Sequence, residues 1–410
     1  MRIAIFAGEF PTLSETFVLR QVVGLLRQGH DVTVITCDAG DPQCQHQLYT
    51  SNNIATRIKV IRPMQPRWRT LLSIGHLVVG AVVSRHQRGA LTATISAVTH
   101  GSMASILDIS TTSSAQSLGQ YDAIVAHFGP IGVRAMFLQQ AGLLCGPLAV
   151  IFHGLDMSDY SVIESHRRSY RKLFIHAAQL LPISRLWASR LTEWGAEPSK
   201  VRVLRMGVDV EDFQVRDQSR PPLATNVVNA LAVARLTEKK GIEYAIKGVA
   251  AARCEVRLSI IGSGPLESSL RQMVIDLGCE DKVQFLGRRP QQEVFAELDR
   301  SDLFILPSVV AASGDMEGIP VALMEAMAKG VLVLATRHSG IPELIEHGVS
   351  GLLVPERDAV AIGDTLERLV AGEWDLVAMR TQARAAVERE FNNAMLDQQL
   401  VSICQQMAGG

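Results

Sequence analysis

The chain has 410 residues, 47% of them hydrophobic and 20% charged, the balance of a globular protein long enough for two domains of roughly 200 residues each. No apolar run reaches the roughly 18 residues of a spanning helix and no signal peptide opens the sequence, so a membrane-embedded or secreted protein is not expected. Six cysteines without zinc spacing and a net charge of −1 favour a cytoplasmic protein with no bound metal and no nucleic-acid partner.

Strand-like and helix-like segments alternate through the first half of the chain. Residues 2–7 are predicted to form a buried strand, and a helix with Ser14 as its N-cap is predicted to continue to about Gly29. Because strands that alternate with helices form parallel βαβ units, residues 1–210 are predicted to form a Rossmann-like domain. Its further strands are predicted at 31–37, 57–61, 122–126, 149–152, 179–183 and 201–204.

The alternation breaks at Pro221 and Pro222, and residues 211–226 are predicted to be the interdomain linker. A second Rossmann-like domain is predicted over 227–375, and a helical segment with a break near Phe391 over 376–410. The predicted fold is α/β, two doubly wound domains facing across a cleft, where ligands bind beyond the carboxyl ends of the strands. The strands of the second domain are predicted at 227–233, 256–261, 283–286, 303–306 and 331–335.

The segment DMEGIPVALMEAMAKG, residues 315–330, carries the strongest chemical signal. Pro320 suits the first turn of a helix, where free amides form a seat for a diphosphate. Glu317 before this helix and Glu325 within it flank the seat, so Glu325 could accept from a ribose diol while Glu317 faces a sugar. Two such glutamates on their own are more often solvated residues of an amphipathic helix. The amides of the seat would come from Gly318, Ile319 and Val321.

The segment ARLTEKKGIEYAI, residues 234–246, places two cations beside a strand end. Arg235 and Lys240 could clamp a diphosphate leaving group, whereas Lys239 is expected to stay in solvent. A basic surface loop is the alternative for this segment alone. In IIGSGPLESSL, residues 260–270, Gly262 and Gly264 could bring backbone close to a nucleotide or could serve only a tight turn.

Two histidines are predicted to lie at strand ends in the first domain. IFHGLD, residues 151–156, places His153 at the end of one strand, and HFGPIG places His127 at the end of another. A single histidine is more often a core residue than a functional one, but a strand end in a cleft favours a ligand contact. His127 and Asp156 are weaker, acceptor-side candidates.

EGIPVALMEAMAKG, with TRHSGIPELIEHGVSGLLVPERD at 336–358, resembles the donor site of the retaining glycosyltransferases of family 4, which have the GT-B fold. The resemblance extends over nearly the whole chain and is dense from about 180 to 360. It implies transfer of a sugar from a UDP- or GDP-linked donor to a glycan or lipid-linked saccharide, with retention of anomeric configuration. It also implies a C-terminal helix that crosses back to the N-terminal domain. Because no carboxylate pair suits a metal, activity is expected to need no metal cofactor.

The resemblance also implies roles for single residues. The two glutamates of the family match Glu317 and Glu325, and its diphosphate-binding cations match Arg235 and Lys240. Its histidine at the transferred sugar matches His153. Weaker matches suggest Gly262 and Gly264 near the nucleotide, Arg288 in VQFLGRRP at the base, Gly8 near the phosphates, and Ser14 and Glu15 on the acceptor side.

The SETF variant within AGEFPTLSETF, residues 7–17, resembles enzymes of colanic-acid and other exopolysaccharide assembly. Two other functions stay open: a GT-B glycan phosphorylase, which would need a phosphate site, and a non-catalytic nucleotide-binding module, which would leave the cations and glutamates unexplained. Residues 1–210 hold 20 Lys and Arg against 13 Asp and Glu, so this half could meet an anionic membrane. An interfacial helix over 71–83 could serve that contact, and a buried helix is the alternative; the basic and aromatic residues before it are Arg62, Arg67, Trp68 and Arg69.

Overall fold

The computed structural model describes residues 1–12, 15–40, 47–62, 85–100, 102–113, 117–214, 223 and 227–409. The chain divides into two compact units. Unit 1 comprises Met1–Leu204 and Ala394–Gly410, and unit 2 comprises Arg205–Asn393.

Unit 1 is built on a six-stranded parallel sheet. The strands of unit 1, six of which form this sheet, are β1 (Arg2–Phe10), β2 (Asp31–Ala39), β3 (Ile58–Arg62), β4 (Gly119–Gln120), β5 (Ala123–His127), β6 (Leu144–Cys145), β7 (Leu148–Phe152) and β8 (Gln179–Pro182). The order across the sheet is β3-β2-β1-β5-β7-β8, while β4 pairs only with β6. The strand order reverses direction between β1 and β5, which opens a ligand crevice at their carboxyl ends.

The helices of unit 1 follow the strands and cover the sheet. They are α1 (Thr16–Arg27), α2 (Gln47–Ser51), α3 (Arg85–Thr99), α4 (Met103–Ser113), α5 (Gly129–Gln140), α6 (Leu155–Ser158), α7 (Tyr160–His176) and α8 (Arg185–Glu193). Helix α1 forms because its apolar residues recur at helical spacing and bury one face, as Val18, Val22 and Leu25 show. Glu15 is its N-cap residue and makes no side-chain cap, and the predicted cap Ser14 lies outside the described residues.

Unit 2 repeats this architecture. Its strands are β9 (Val227–Val233), β10 (Glu255–Ile261), β11 (Val283–Gly287), β12 (Leu303–Leu306), β13 (Leu332–Thr336) and β14 (Leu352–Val354), in the order β11-β10-β9-β12-β13-β14 with every recorded pair parallel. Here the strand order reverses between β9 and β12. The helices are α9 (Ile242–Ala251), α10 (Glu267–Asp276), α11 (Gln291–Arg300), α12 (Val321–Ala328), α13 (Ile341–Leu344), α14 (Ala359–Val370) and α15 (Leu376–Glu390).

The last helix, α16 (Asn393–Gly409), returns to unit 1, as predicted. Asp397 packs so closely on helix α1 that a Cβ on Gly24 would meet its carboxylate, and the Gln399 side chain donates to the Val203 carbonyl. The predicted segment 376–410 is therefore divided, because α15 stays with unit 2. There the Arg380 guanidinium donates to the Gly330 carbonyl.

Two predicted boundaries differ from the structure. The first domain ends at Leu204 rather than at residue 210, because the Val208 amide donates to the Phe391 carbonyl inside unit 2. The predicted strand 201–204 is an isolated bridge between Val201 and Leu180, although the amides of Arg202 and Leu204 donate to the carbonyls of Leu180 and Pro182. Strand β14 was not predicted, because three apolar residues are too short a signal.

Gly262 illustrates why the turns of unit 2 need glycine. Its φ is 139°, and a Cβ there would lie 1.8 Å from the carbonyl oxygen of Ala234. We expect Gly262→Ala to lower the free energy of unfolding of unit 2 by about 3 kcal/mol, measured by urea denaturation. Gly372→Ala is the control, because Gly372 has a φ of 77° and open space around it, and should cost only about 1 kcal/mol. Equal losses would show that the backbone contact contributes nothing.

Candidate functional site

Two loops of unit 2 meet at the carboxyl ends of β9 and β12, where the strand order reverses. The loop after β9 carries Lys239 and Lys240 in a short 3-10 turn, and the loop after β12 carries Asp315 and Glu317. Gly241 ends the 3-10 turn with a φ of 62°, and a Cβ on it would lie 1.9 Å from the Pro307 carbonyl oxygen. The two loops can approach this closely only because residue 241 has no side chain.

A pair of lysines faces a pair of carboxylates across this junction. Lys240 Nζ lies 2.8 Å from Glu317 Oε2, and Lys239 Nζ lies 3.0 Å from Asp315 Oδ2 and 3.7 Å from Glu317 Oε1. The prediction that Lys239 stays in solvent is therefore wrong, because the 3-10 turn aims both ammonium groups at the loop after β12. Asp315 was not singled out from the sequence.

Glu317 is an ionised carboxylate inside the protein. Its residue is 7% exposed, and its Oε1 accepts no hydrogen bond within the part of the chain that is described. Burial by itself would raise the pKa of Glu317, but the charges of Lys240 and Lys239 and the hydrogen bond from Lys240 hold that pKa below its usual value. The site therefore presents a buried negative oxygen beside two cations.

A histidine and a second glutamate fix the loop that carries Glu317. The Glu317 amide donates to His338 Nε2 at 3.0 Å, and His338 Nδ1 lies 2.6 Å from Glu356 Oε1. Since Nε2 must accept, the proton of this neutral ring lies on Nδ1 and is donated to Glu356. Glu356 also accepts from the Val310 amide at the start of the same loop. His338 and Glu356 were not predicted as site residues, although both lie in the quoted segment 336–358.

The N-terminus of α12 has the free amides that the sequence predicted. No protein acceptor is recorded, within the described ranges, for the backbone N–H of Gly318, Ile319 or Val321. Pro320 is the N-cap residue of α12 rather than its first helical residue. The helix dipole and these amides favour an anion at this position. Glu325 is half-buried within α12, and the Arg235 side chain is exposed after β9.

The glycine turn after β10 has a structural explanation. A Cβ on Gly264 would lie 2.4 Å from the Leu236 carbonyl oxygen, much as one on Gly262 would meet Ala234. Both glycines therefore let the backbone after β10 approach the backbone after β9. Arg288 Nε donates to Ser263 Oγ at 2.5 Å, which holds its exposed guanidinium against this same turn. Contact of these residues with a nucleotide stays a prediction.

In unit 1, His127 and His153 lie together at the carboxyl ends of β5 and β7. His127 Nδ1 lies 3.1 Å from His153 Nε2, the rings are near parallel, and His127 Nε2 lies 2.9 Å from Gln21 Oε1 on α1. Phe17 and Phe128 pack against the ring of His153, with centroids 4.8 and 4.4 Å away. Phe128 has a φ of 71°, a backbone strain found mostly at functional sites.

Both histidines are buried, which disfavours their protonated forms. Burial lowers the pKa of His127 to about 3, and burial together with His127 lowers the pKa of His153 well below its usual value. With Gln21 accepting from His127 Nε2, His127 Nδ1 is left to accept the proton of His153 Nε2. The two rings therefore form a directed hydrogen-bond chain, and Gln21 is a residue that the sequence did not reveal.

These low pKa values predict a specific loss of stability in acid. The unfolded chain protonates His127 near pH 6.5 and the folded protein does not, so folding stability is complete above pH 6.5 and falls as the pH drops towards 3. Between pH 6.5 and 5, His127 alone should remove about 2 kcal/mol of unfolding free energy. Between pH 6.5 and 5, the unfolding free energy of His127→Gln should fall by about 2 kcal/mol less than that of the wild type, as measured by urea denaturation. Parallel losses in both proteins would contradict this assignment.

Three acceptor-side candidates fall in different surroundings. Asp156 is turned into the protein, since its carboxylate accepts from the amides of Gly129, His153 and Gly154, and its contact with an acceptor stays a prediction. Burial and the nearby Glu9 raise the pKa of Glu15 to about 7. Ser14 lies outside the described residues.

Gly8 lies within β1 rather than in the loop that follows it. Its side of the strand faces Ile131, which a Cβ on Gly8 would approach to 3.3 Å. Its role near the phosphates therefore stays a prediction. Among the described residues, no three or more His, Cys, Asp or Glu are grouped so that they could hold a metal ion, and no helix is long and apolar enough to cross a bilayer.

Two family models match the chain in succession. The one described as "Glycosyl transferase 4-like domain" matches residues 14–207, and "Glycosyl transferases group 1" matches residues 215–386. WcaL of Salmonella typhimurium, named as a colanic acid biosynthesis glycosyltransferase, is 38% identical over 99% of this chain and 100% of its own. AmsK of Erwinia amylovora, an amylovoran biosynthesis glycosyltransferase, is 38% identical over the full length of both chains.

A solved structure confirms the architecture. HepE from Anabaena, crystallised in complex with UDP, superposes with a TM-score of 0.73 over 99% of this chain and 100% of its own, at 18% sequence identity. The two doubly wound units, each built on a parallel sheet, and their likeness to this solved structure confirm the predicted GT-B fold.

Proposed function

Since this chain belongs to the group 1 glycosyltransferases, with the GT-B fold and the transferase activity of that family, we propose that it moves a sugar from a nucleoside diphosphate sugar to a growing cell-surface saccharide. The names of WcaL and AmsK support exopolysaccharide assembly as the setting. The donor carries UDP or GDP, and the acceptor is a glycan or a lipid-linked saccharide at the inner face of the cytoplasmic membrane. The phosphorylase and the non-catalytic module are not favoured, because neither explains these two relatives.

The observation that carries the donor proposal is the junction of cations, carboxylate and free amides in unit 2. A departing diphosphate gains negative charge as the sugar leaves, and groups already aimed at that position stabilise the transition state. Lys240 would exchange its ion pair with Glu317 for the diphosphate, and the amides of Gly318 and Ile319 would bind the phosphate oxygens. Arg235, exposed after β9, would add a second cation.

The carboxylates and histidines suit the sugar and ribose. Glu317 Oε1, buried and without a hydrogen bond, would accept from a hydroxyl of the transferred sugar, and Glu325 would accept from the ribose diol. His153, held neutral by burial and by His127, would hydrogen-bond to the same sugar. Retention of anomeric configuration follows from the resemblance to family 4, and the anomeric proton coupling of the product checks it.

The lysines and the helix dipole would take the place of a metal at the diphosphate. We therefore expect turnover with purified donor and acceptor to be unchanged by excess EDTA. Loss of activity in EDTA that Mg²⁺ restores would contradict metal-independent catalysis.

Nucleotide binding tests the donor site directly. UDP, GDP and NAD would be compared by thermal denaturation of the wild type and of Arg235→Ala and Glu325→Ala. A ligand at about 100 times its Kd adds about 2.7 kcal/mol to the free energy of unfolding. We expect one nucleoside diphosphate to stabilise the wild type and to act more weakly on both variants. No stabilisation of a folded protein, or a preference for NAD, would overturn the donor site.

A further inference from the structure

Helix α7 of unit 1 carries three arginines on one exposed face: Arg167, Arg168 and Arg171, called here the arginine face. They lie within about one helical turn of each other. Within the described residues, no hydrogen bond or ion pair is recorded for any of the three. Three positive charges therefore lie close together, and no described residue neutralises them.

Three exposed arginines of unit 2, unlike those of the arginine face, form local ion pairs. Arg271 pairs with Glu267, Arg289 with Glu293 and Arg300 with Glu297, each with a partner three or four residues away in the sequence. On α7, Glu164 precedes Arg167 and Arg168 by three and four residues, the spacing at which such pairs form, and no pair is recorded. These three exposed arginines are thus neutralised by a neighbour in sequence, whereas the arginines of the arginine face have no recorded partner among the described residues.

The arginine face borders two surface cavities. One, of about 580 Å³, is lined by the three arginines with His100, Glu164 and Ser165. The other, of about 290 Å³, is lined by Arg167 and Arg171 together with Ile163, Tyr170 and Trp194 among others. Guanidinium groups bind phosphate oxygens in pairs of hydrogen bonds, and both cavities have room for a phosphate group.

Exposed aliphatic side chains lie on α7 itself and on the neighbouring helix α3. Ile175 at the end of α7 is 80% exposed, and on the neighbouring helix α3, Ile95 and Val98 are 57% and 59% exposed. The two helices touch, since Ser169 Oγ on α7 donates to the His100 carbonyl beside the end of α3. A surface with both unpaired arginines and exposed aliphatic residues is complementary to the headgroup region of an anionic bilayer. A free phosphate would not explain the aliphatic residues.

We propose that the α3–α7 surface docks unit 1 on an anionic lipid bilayer, with the arginine face on the lipid phosphates and Ile95, Val98 and Ile175 entering the interface. This surface differs from the segment 62–83 that the sequence suggested, most of which lies outside the described residues. The proposal rests on the proposed function in one respect, namely that a lipid-linked acceptor gives the docking a purpose.

The test is binding of the full chain to phosphatidylcholine vesicles, with and without about one fifth phosphatidylglycerol, in about 50 mM salt. We expect binding only with phosphatidylglycerol, weakened about 100-fold in Arg167→Gln/Arg168→Gln/Arg171→Gln. The matched control, Arg271→Gln/Arg289→Gln/Arg300→Gln, removes the same charge from paired positions and should bind as the wild type does. Ile95→Ser/Val98→Ser/Ile175→Ser should weaken binding with all arginines in place.

Three results would overturn the proposal: no binding of the wild type to anionic vesicles, equal weakening in the two arginine variants, or displacement by millimolar glycerol phosphate, which would indicate a discrete phosphate site. Thermal denaturation establishes that each variant is folded. Nucleotide stabilisation of the same variants reports on unit 2 alone, so failure of membrane docking and failure of the donor site are distinguishable.

Discussion

Lys240→Met is expected to lower turnover about 1000-fold and to weaken nucleoside diphosphate binding as well. Lys240 is the cation closest to Glu317, and in the proposed reaction it moves to the departing diphosphate, where removal of one stabilising group costs about 100- to 1000-fold in rate. The substitution also leaves the buried Glu317 carboxylate without its main partner, which should remove about 3 kcal/mol of unfolding free energy. Turnover normalised to the folded fraction and urea denaturation measure the two effects separately.

Lys247→Met is the matched control for this variant. Lys247 lies on α9 of the same unit and forms an ion pair of the same length, 2.8 Å to Glu243, but on the surface. Surface pairs of this kind contribute about 0.5 kcal/mol, so the control should keep wild-type turnover and nearly all its stability. If the two variants behaved alike, Lys240 would be an ordinary surface cation.

Glu317→Gln is expected to separate catalysis from donor binding. Glutamine keeps the size of the side chain but removes the charge that neutralises Lys240 in the unliganded site. A nucleoside diphosphate should then bind as tightly as before or more tightly, while turnover falls about 100-fold because a sugar hydroxyl loses its charged acceptor. Calorimetric titration with the diphosphate and steady-state kinetics with the intact donor give the two numbers.

The fall of the unfolding free energy at acid pH provides a second measurement on Glu317→Gln. Because the lysines lower the pKa of Glu317 in the folded protein, its ionised form contributes stability that is present above about pH 4.5 and lost as the pH falls through the lowered folded pKa. The variant should lack this contribution. Weaker diphosphate binding in Glu317→Gln would mean that the carboxylate holds the site together and does not contact the sugar.

The residues of the proposed donor site could be picked out from the sequence because they lie in two short segments. Glu317, Glu325 and the free amides all belong to residues 315–330, and Lys240 follows a strand by a few residues. Local patterns of this kind reflect helix and strand periodicity, and strand ends in a parallel sheet converge at one edge whatever the rest of the chain does. The α/β class was predicted on the same basis, whereas the return of the C-terminal helix to unit 1 was implied by the resemblance to family 4.

Contacts between distant segments could not be predicted. Gln21, His127 and His153 come from three elements, and only the packed sheet shows that they form one chain of hydrogen bonds. The same sheet turns Asp156 inward, where three backbone amides donate to its carboxylate.

By itself, the sequence determined the alternation of strands and helices, the doubly wound class and the segments proposed to line the donor site, because each depends on residues close together along the chain. Only the tertiary structure decided which charges are neutralised. Lys239 is held by Asp315 although it was expected in solvent, whereas Arg167 has no recorded ion pair with Glu164 or with any other described residue. Whether a charge finds a partner depends on distances between loops and on side-chain direction, and neither is encoded in local spacing.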